Sequence, residues 1–159
     1  MPACPLSSHR VFQKHRRVPA AEIARTLDIP IAAGETEVSG YQFLRWFQDR
    51  ALDIAQPDVA RCGITESRRI ADLAHTFNVR VALHAGIGLA PAIAASLHVA
   101  AAIQNLIAME YQPVMLEMTN RFLKQPIMCE KGMFRVPAGP GLGIEIDEDA
   151  LSHYAKEYE

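Results

Sequence analysis

Cysteine is scarce in this chain and scattered. Cys4, Cys62 and Cys129 are odd in number, far apart and free of any CxxC spacing, which argues against a disulfide framework and against a cysteine-bound zinc site. A reducing, cytoplasmic location fits this usage. No apolar run approaches the roughly 20 residues of a membrane span, and the first residues lack the apolar core of a secretory signal, so a soluble protein is expected. Neither sign of charge prevails: 16 Lys and Arg stand against 18 Asp and Glu, for a formal net charge of −2. That balance gives no reason to expect nucleic acid or an anionic membrane as partner. A small molecule is the expected partner. Lysine is sparse, confined to Lys14, Lys124, Lys131 and Lys156.

What is present is the composition of one globular domain with a sizeable core: 159 residues, 50% hydrophobic and 21% charged. Residues 1–17, "MPACPLSSHRVFQKHRR", differ from the rest, with Arg10, Lys14, Arg16 and Arg17 and no acidic residue before Glu22. They read as a basic, disordered tail ahead of a domain at 18–159. An acid-free, Arg- and Ser-bearing start also fits a transit peptide or a phosphate-binding arm.

From residue 19 on, helix-like and strand-like stretches alternate. "VPAAEIARTLD" has Ala21, Ala24 and Leu27 at helical spacing, and "IPIAAG" is a short apolar run closed by glycine, followed by Glu35. "SGYQFLRWFQDRAL" sets Phe43 and Phe47 one turn apart behind Ser39, and the next extended run, "DIAQPD", ends at Asp58. "TESRRIADLAHTF" starts at a potential Thr65 cap with Ile70, Leu73, Ala74 and Phe77 on one face, and "VRVAL" then leads into His84. "LAPAIAASLHVAAAI" has Pro91 in its first turn, and "LIAME" closes on Glu110.

Ionisable residues thus end successive strands at positions 35, 58, 84 and 110, at intervals of 23, 26 and 26 residues. Right-handed βαβ crossovers place the C-terminal ends of all strands in a parallel sheet on one side, so these four side chains are expected to face one pocket. A (β/α)8 barrel of about 250 residues builds its active site on that rim; here the pattern gives about four βα units, half a barrel. Taken singly, a strand-end acid is most often a solvated loop residue or a helix cap. One at each of four successive strand ends points to a site.

Neighbouring strands about 4.8 Å apart put Asp58 within reach of His84, and a carboxylate beside an imidazole fixes its tautomer and raises its basicity. Glu35 has the oxygen chemistry to hold a hard divalent cation, and Glu110 that to hydrogen-bond substrate oxygens. These are parts for removing a proton next to a carboxylate. His75, His98 and His153 lie in helical patterns and read as packing or surface residues. Cys62 and Cys129 read as inert thiols, and Tyr41, Phe43, Trp46 and Phe47 as helix packing. "GIGLAP" approaches a dinucleotide-binding GxGxxG, but Pro91 stands where the third glycine belongs, and that reading leaves Glu35, Asp58 and His84 idle. The glycines are better read as a tight turn that allows close approach to the backbone.

Over residues 25–151 the chain resembles the mandelate racemase/muconate lactonizing enzyme family of the enolase superfamily. "IPIAAGE" resembles that family's fifth barrel strand, "IAQPD" the sixth, "VALHAGIG" the seventh and "AMEYQP" the eighth, while "VPAGPGLGIEIDEDAL" is similar to its C-terminal segment. The resemblance implies the C-terminal half of the barrel, with Glu35 as a Mg²⁺ ligand, His84 as general base, Asp58 as its dyad partner and Glu110 as a hydrogen-bonding acid for the substrate carboxylate. No lysine lies at an expected strand end, which favours the branch with a histidine base. The implied activity is Mg²⁺-dependent abstraction of the α-proton of a hydroxy or sugar acid, as in a sugar-acid dehydratase, with racemase, epimerase and cycloisomerase chemistry as alternatives. The family's capping domain, first four strands and two further acidic ligands have no counterpart in the sequence. A homo-oligomer, or association with a missing barrel half, is therefore expected. An inactive fragment acting only through association is the rival reading.

Overall fold

The computed structural model describes residues 17–86 and 88–156. The expected basic tail lies outside them except for Arg17, with which the first helix opens. The elements in chain order are α1 (Arg17–Thr26), β1 (Ala32–Ala33), α2 (Gly40–Gln48), β2 (Ile54–Ala55), α3 (Val59–Thr76), β3 (Arg80–Leu83), α4 (Ala90–Ala102), β4 (Leu106–Met109), α5 (Pro113–Asn120), β5 (Cys129–Glu130), β6 (Met133–Phe134) and α6 (Glu148–Lys156). Strands β1 to β4 form one parallel sheet in sequence order. A helix connects each pair of neighbours, which is the pattern of a partial (β/α) barrel with a C-terminal extension.

Residue alternation sets the layers. In β3, Val81 and Leu83 are fully buried while Arg80 is exposed and Ala82 half-buried; the period of two sends one set toward the helices and the other to the opposite face. Phe43 and Phe47 of α2, Ile70, Ala71 and Ala74 of α3, and Ala95 and Val99 of α4 close over Ala55, Val81 and Leu83 as a single core. A second core joins Ala90, Ala94 and Leu97 of α4 to Leu116, Leu123 and Ile127. Helix α4 is buried on both sides, and apart from His98 it carries no titratable side chain.

Three local expectations change. The helix expected from near Thr65 is present, but a short turn capped by Asp58 precedes it from Val59, and the two meet at a break at Gly63, with φ 76° and ψ 163°. Leu27, expected on the buried side of α1, is 42% exposed, because it borders an open hollow that it lines with Phe47 and Phe77. The antiparallel β5–β6 hairpin was not apparent from periodicity, since two-residue strands leave no alternation to read. The aromatic group divides: Phe43, Trp46 and Phe47 are buried, but Tyr41 is 86% exposed.

Candidate active site

The C-terminal ends of the four parallel strands are held together past the regular ladder. Gln56 N–H donates to Ala33 O (2.9 Å), His84 N–H to Pro57 O (3.1 Å) and Glu110 N–H to Leu83 O (2.9 Å), and Asp58 pairs with His84 as an isolated parallel bridge. Strand-end pairing therefore fixes the backbones of Asp58, His84 and Glu110 before any side chain acts.

The side chains converge on the imidazole. His84 Nδ1 lies 2.9 Å from Asp58 Oδ2, and Nε2 lies 3.1 Å from Glu35 Oε2 and 3.6 Å from Glu110 Oε2. The structure thus brings together all four strand-end residues singled out from the sequence. Asp58 is 5% exposed, so little water competes for its oxygens. Each has one partner: Oδ1 accepts the Ala60 N–H at 2.8 Å, capping α3, and Oδ2 faces the ring. A carboxylate only accepts, so the buried Asp58 favours a ring proton on Nδ1, while Glu35 Oε2 at 3.1 Å accepts from Nε2 only when that nitrogen is protonated too; Nε2 is a base when Glu35 is engaged elsewhere. Nε2 faces Glu35 and Glu110 at the rim. The arrangement can accept a proton at Nε2 and stabilise the resulting imidazolium through Asp58.

Glu110 has a second partner, the Ala85 N–H, at 3.1 Å from Oε2. Gln112 donates its amide to the carbonyl of the same residue at 2.8 Å. The sequence reading passed over Gln112, although its position two residues beyond Glu110 places it on the same side of an extended strand end.

Other candidates fall where structural roles were expected. His98 Nε2 meets Leu142 O at 3.1 Å, tying α4 to the C-terminal segment. The Cys62 thiol donates to Glu37 O at 3.4 Å, and burial holds its pKa above the ordinary cysteine range. A large open hollow lies at the other end of the sheet, lined among others by Leu27, Arg50, Phe77 and Arg80. It contains none of the four converging residues. Among the described residues, no set of three or more His, Cys, Asp or Glu is placed to hold a metal ion, and no helix is long and apolar enough to cross a membrane.

Comparison with known proteins adds the family. A family model described as enolase C-terminal domain-like matches residues 5–150, beginning inside the segment read as a basic tail. D-xylonate dehydratase of Haloferax volcanii is 33% identical over 138 residues, covering 86% of this chain and 33% of that protein. D-galactarolactone cycloisomerase of Agrobacterium fabrum is 34% identical over 142 residues, covering 79% of this chain and 35% of its own length. Among solved structures, a mandelate racemase/muconate lactonizing enzyme-like protein from Rubrobacter xylanophilus superimposes with a TM-score of 0.81 at 31% identity, over 89% of this chain and 36% of the other. This chain spans about a third of the length of the curated relatives it matches.

Proposed function

The chain belongs to the mandelate racemase/muconate lactonizing enzyme family of the enolase superfamily, and from that membership we propose that it is the base-bearing part of a sugar-acid dehydratase. The observation that carries this is the Asp58–His84 pair with Nε2 turned toward the strand-end rim. In the proposed reaction Nε2 takes the α-proton of the substrate carboxylate, and Asp58 stabilises the imidazolium. Loss of the β-hydroxyl with a proton as water leaves an enol, which tautomerises to the 2-keto acid. Glu110, at the rim beside Nε2, hydrogen-bonds the substrate carboxylate. Relatives named D-xylonate and D-galactonate dehydratase support sugar acids as the substrate class. The relative named as a cycloisomerase keeps isomerisation as a second outcome of the same first step.

Mg²⁺ is the family's expected ion, and its fit can be judged from the donors. The ion requires near-octahedral oxygen coordination. This chain offers Glu35, one of whose oxygens lies against His84 Nε2, and Glu110, one of whose oxygens is taken by the Ala85 N–H. The described residues do not fit Mg²⁺ by themselves. We therefore assign Mg²⁺ only to an assembly in which a second polypeptide or a second copy supplies further oxygen ligands beside Glu35.

The test is solvent exchange at the α-carbon, followed by NMR in D2O with Mg²⁺ over a panel of C5 and C6 sugar acids. Exchange that disappears in His84→Asn supports the reading, whichever product forms. Absence of exchange across the panel from folded protein overturns the reading in which copies of this chain complete the site by themselves.

A further inference from the structure

Beyond the regular sheet, β3 and β4 are joined by side chains rather than by backbone. The backbone bond from Glu110 N–H to Leu83 O, at 2.9 Å, is followed by two bonds to one residue further along, Ala85, through the peptide on each side of it. Ala85 N–H donates to Glu110 Oε2 at 3.1 Å, and Ala85 C=O accepts from Gln112 Nε2 at 2.8 Å. The oxygen that takes the Ala85 N–H is the one 3.6 Å from His84 Nε2. Gln112 stands at the N-cap of α5, yet its side chain makes no capping bond there; its amide is committed across the rim.

The next residue closes the other side. A Cβ on Gly86 would lie 2.8 Å from Asp58 Oδ2 and 3.0 Å from His84 Cε1. Asp58 has little room to retreat, because Oδ1 is held by the Ala60 N–H at 2.8 Å. A side chain at 86 must therefore either push Asp58 Oδ2 off Nδ1 or lift Ala85 off Glu110 and Gln112.

We propose that the Ala85–Gly86 segment is the positioning device of the site, with Gln112 and Gly86 as its positioning residues. Gln112 anchors the carbonyl of Ala85, the residue whose N–H sets where the Glu110 carboxylate stands relative to Nε2. Gly86 leaves the space that lets Asp58 fix the proton on Nδ1. The consequence for turnover rests on the reading of His84 as the base; the geometry does not.

The test uses the full chain, ¹⁵N-labelled, with Gln112→Met, Gly86→Ala and, as a control, Gly40→Ala, where an added Cβ meets nothing closer than 3.5 Å. Long-range ¹H–¹⁵N correlation reads the tautomer of the neutral His84 ring, and hydrogen exchange reads the Ala85 amide. Wild type and control are expected to carry the proton on Nδ1 and to protect Ala85. Gln112→Met should speed Ala85 exchange about tenfold, the worth of one hydrogen bond, with the Val81 and Gln56 amides unchanged. Gly86→Ala should move a large share of the ring to the Nε2–H form. Wild-type Ala85 exchange in Gln112→Met together with the wild-type tautomer in Gly86→Ala overturns the proposal. Should Gly86→Ala lose protection at Val81, Gln112→Met alone decides, since its side chain is exposed. Neither readout needs turnover. A wild type that shows the NMR signature but no α-proton exchange sinks the reading that copies of this chain complete the site and leaves the positioning device standing, whereas exchange that is present and unchanged in both variants sinks the device.

Discussion

Asp58 carries separate duties on its two oxygens, capping α3 with Oδ1 and orienting His84 with Oδ2. Asn is as good a cap as Asp, but its amide nitrogen can donate to the ring and favour the other tautomer. Asp58→Asn is expected to keep the fold, read by circular dichroism, while α-proton exchange falls about 1,000- to 10,000-fold, the scale known for tautomer loss in other histidine bases. Cys62 offers a check on burial. Desolvation raises its pKa, so the neutral thiol prevails at neutral pH and alkylation by iodoacetamide should run roughly tenfold or more slower than for a free cysteine peptide. The raised value also fixes the sign of its linkage to folding: the contribution is complete below the unfolded thiol's pKa and is lost as pH rises through the folded one.

Helix α3 and the strand beside it show how the site is braced from behind. Asn105, just before β4, donates its side-chain amide to Ala71 O of α3 at 3.1 Å and to Val79 O at 2.9 Å, while its own carbonyl accepts the Val81 N–H at 2.9 Å. One residue joins a helix and two strands. Asn105→Ala leaves two carbonyls without that donor and should cost about 1–3 kcal/mol in urea unfolding. The break in α3 at Gly63 has a different cause. A Cβ there meets nothing within 4 Å, but the backbone sits at φ 76° and ψ 163°, a region essentially reserved for glycine. Gly63→Ala should therefore lower stability by about 1–3 kcal/mol through backbone strain, with no clash to relieve by a neighbouring truncation. An unchanged urea midpoint would refute that account.

The parallel sheet has two edge strands, and each is less buried than the centre: Ile54 and Ala55 of β2 are buried, whereas Ala32 and Ala33 of β1 are half-buried and Ile107 of β4 is 39% exposed. Beside β4 runs an apolar groove lined by Leu97, Ala100, Leu106, Tyr111, Phe134 and Val136. Unpaired parallel edges and exposed apolar surface favour association. In size-exclusion chromatography with light scattering, the chain is expected to run above its 17.6 kDa monomer mass, and Ile107→Lys should shift it toward monomer. A well-behaved wild-type monomer would argue against association through this edge.

The alternating runs in the sequence establish four βα units, and the spacing of 35, 58, 84 and 110 puts one ionisable residue at each strand end, because period and chain direction alone dictate which end a crossover returns to. Asp58 beside His84 was legible for the same reason: adjacent parallel strands carry them. That Glu35, two strands from His84, comes within 3.1 Å of Nε2 was not, since the reach of a side chain across an intervening strand depends on how the whole sheet is packed. Neither was the role of Gln112, whose partner is a carbonyl 27 residues away and leaves no mark in local periodicity. The short turn of α3 ahead of Gly63 leaves no periodic signal, because one carboxylate both ends a strand and caps it. Residue order settled the number of parallel strands and the chemistry of the rim; packing settled which atoms meet there, because hydrogen-bond geometry at a site is set to tenths of an ångström by contacts from residues far apart in the chain.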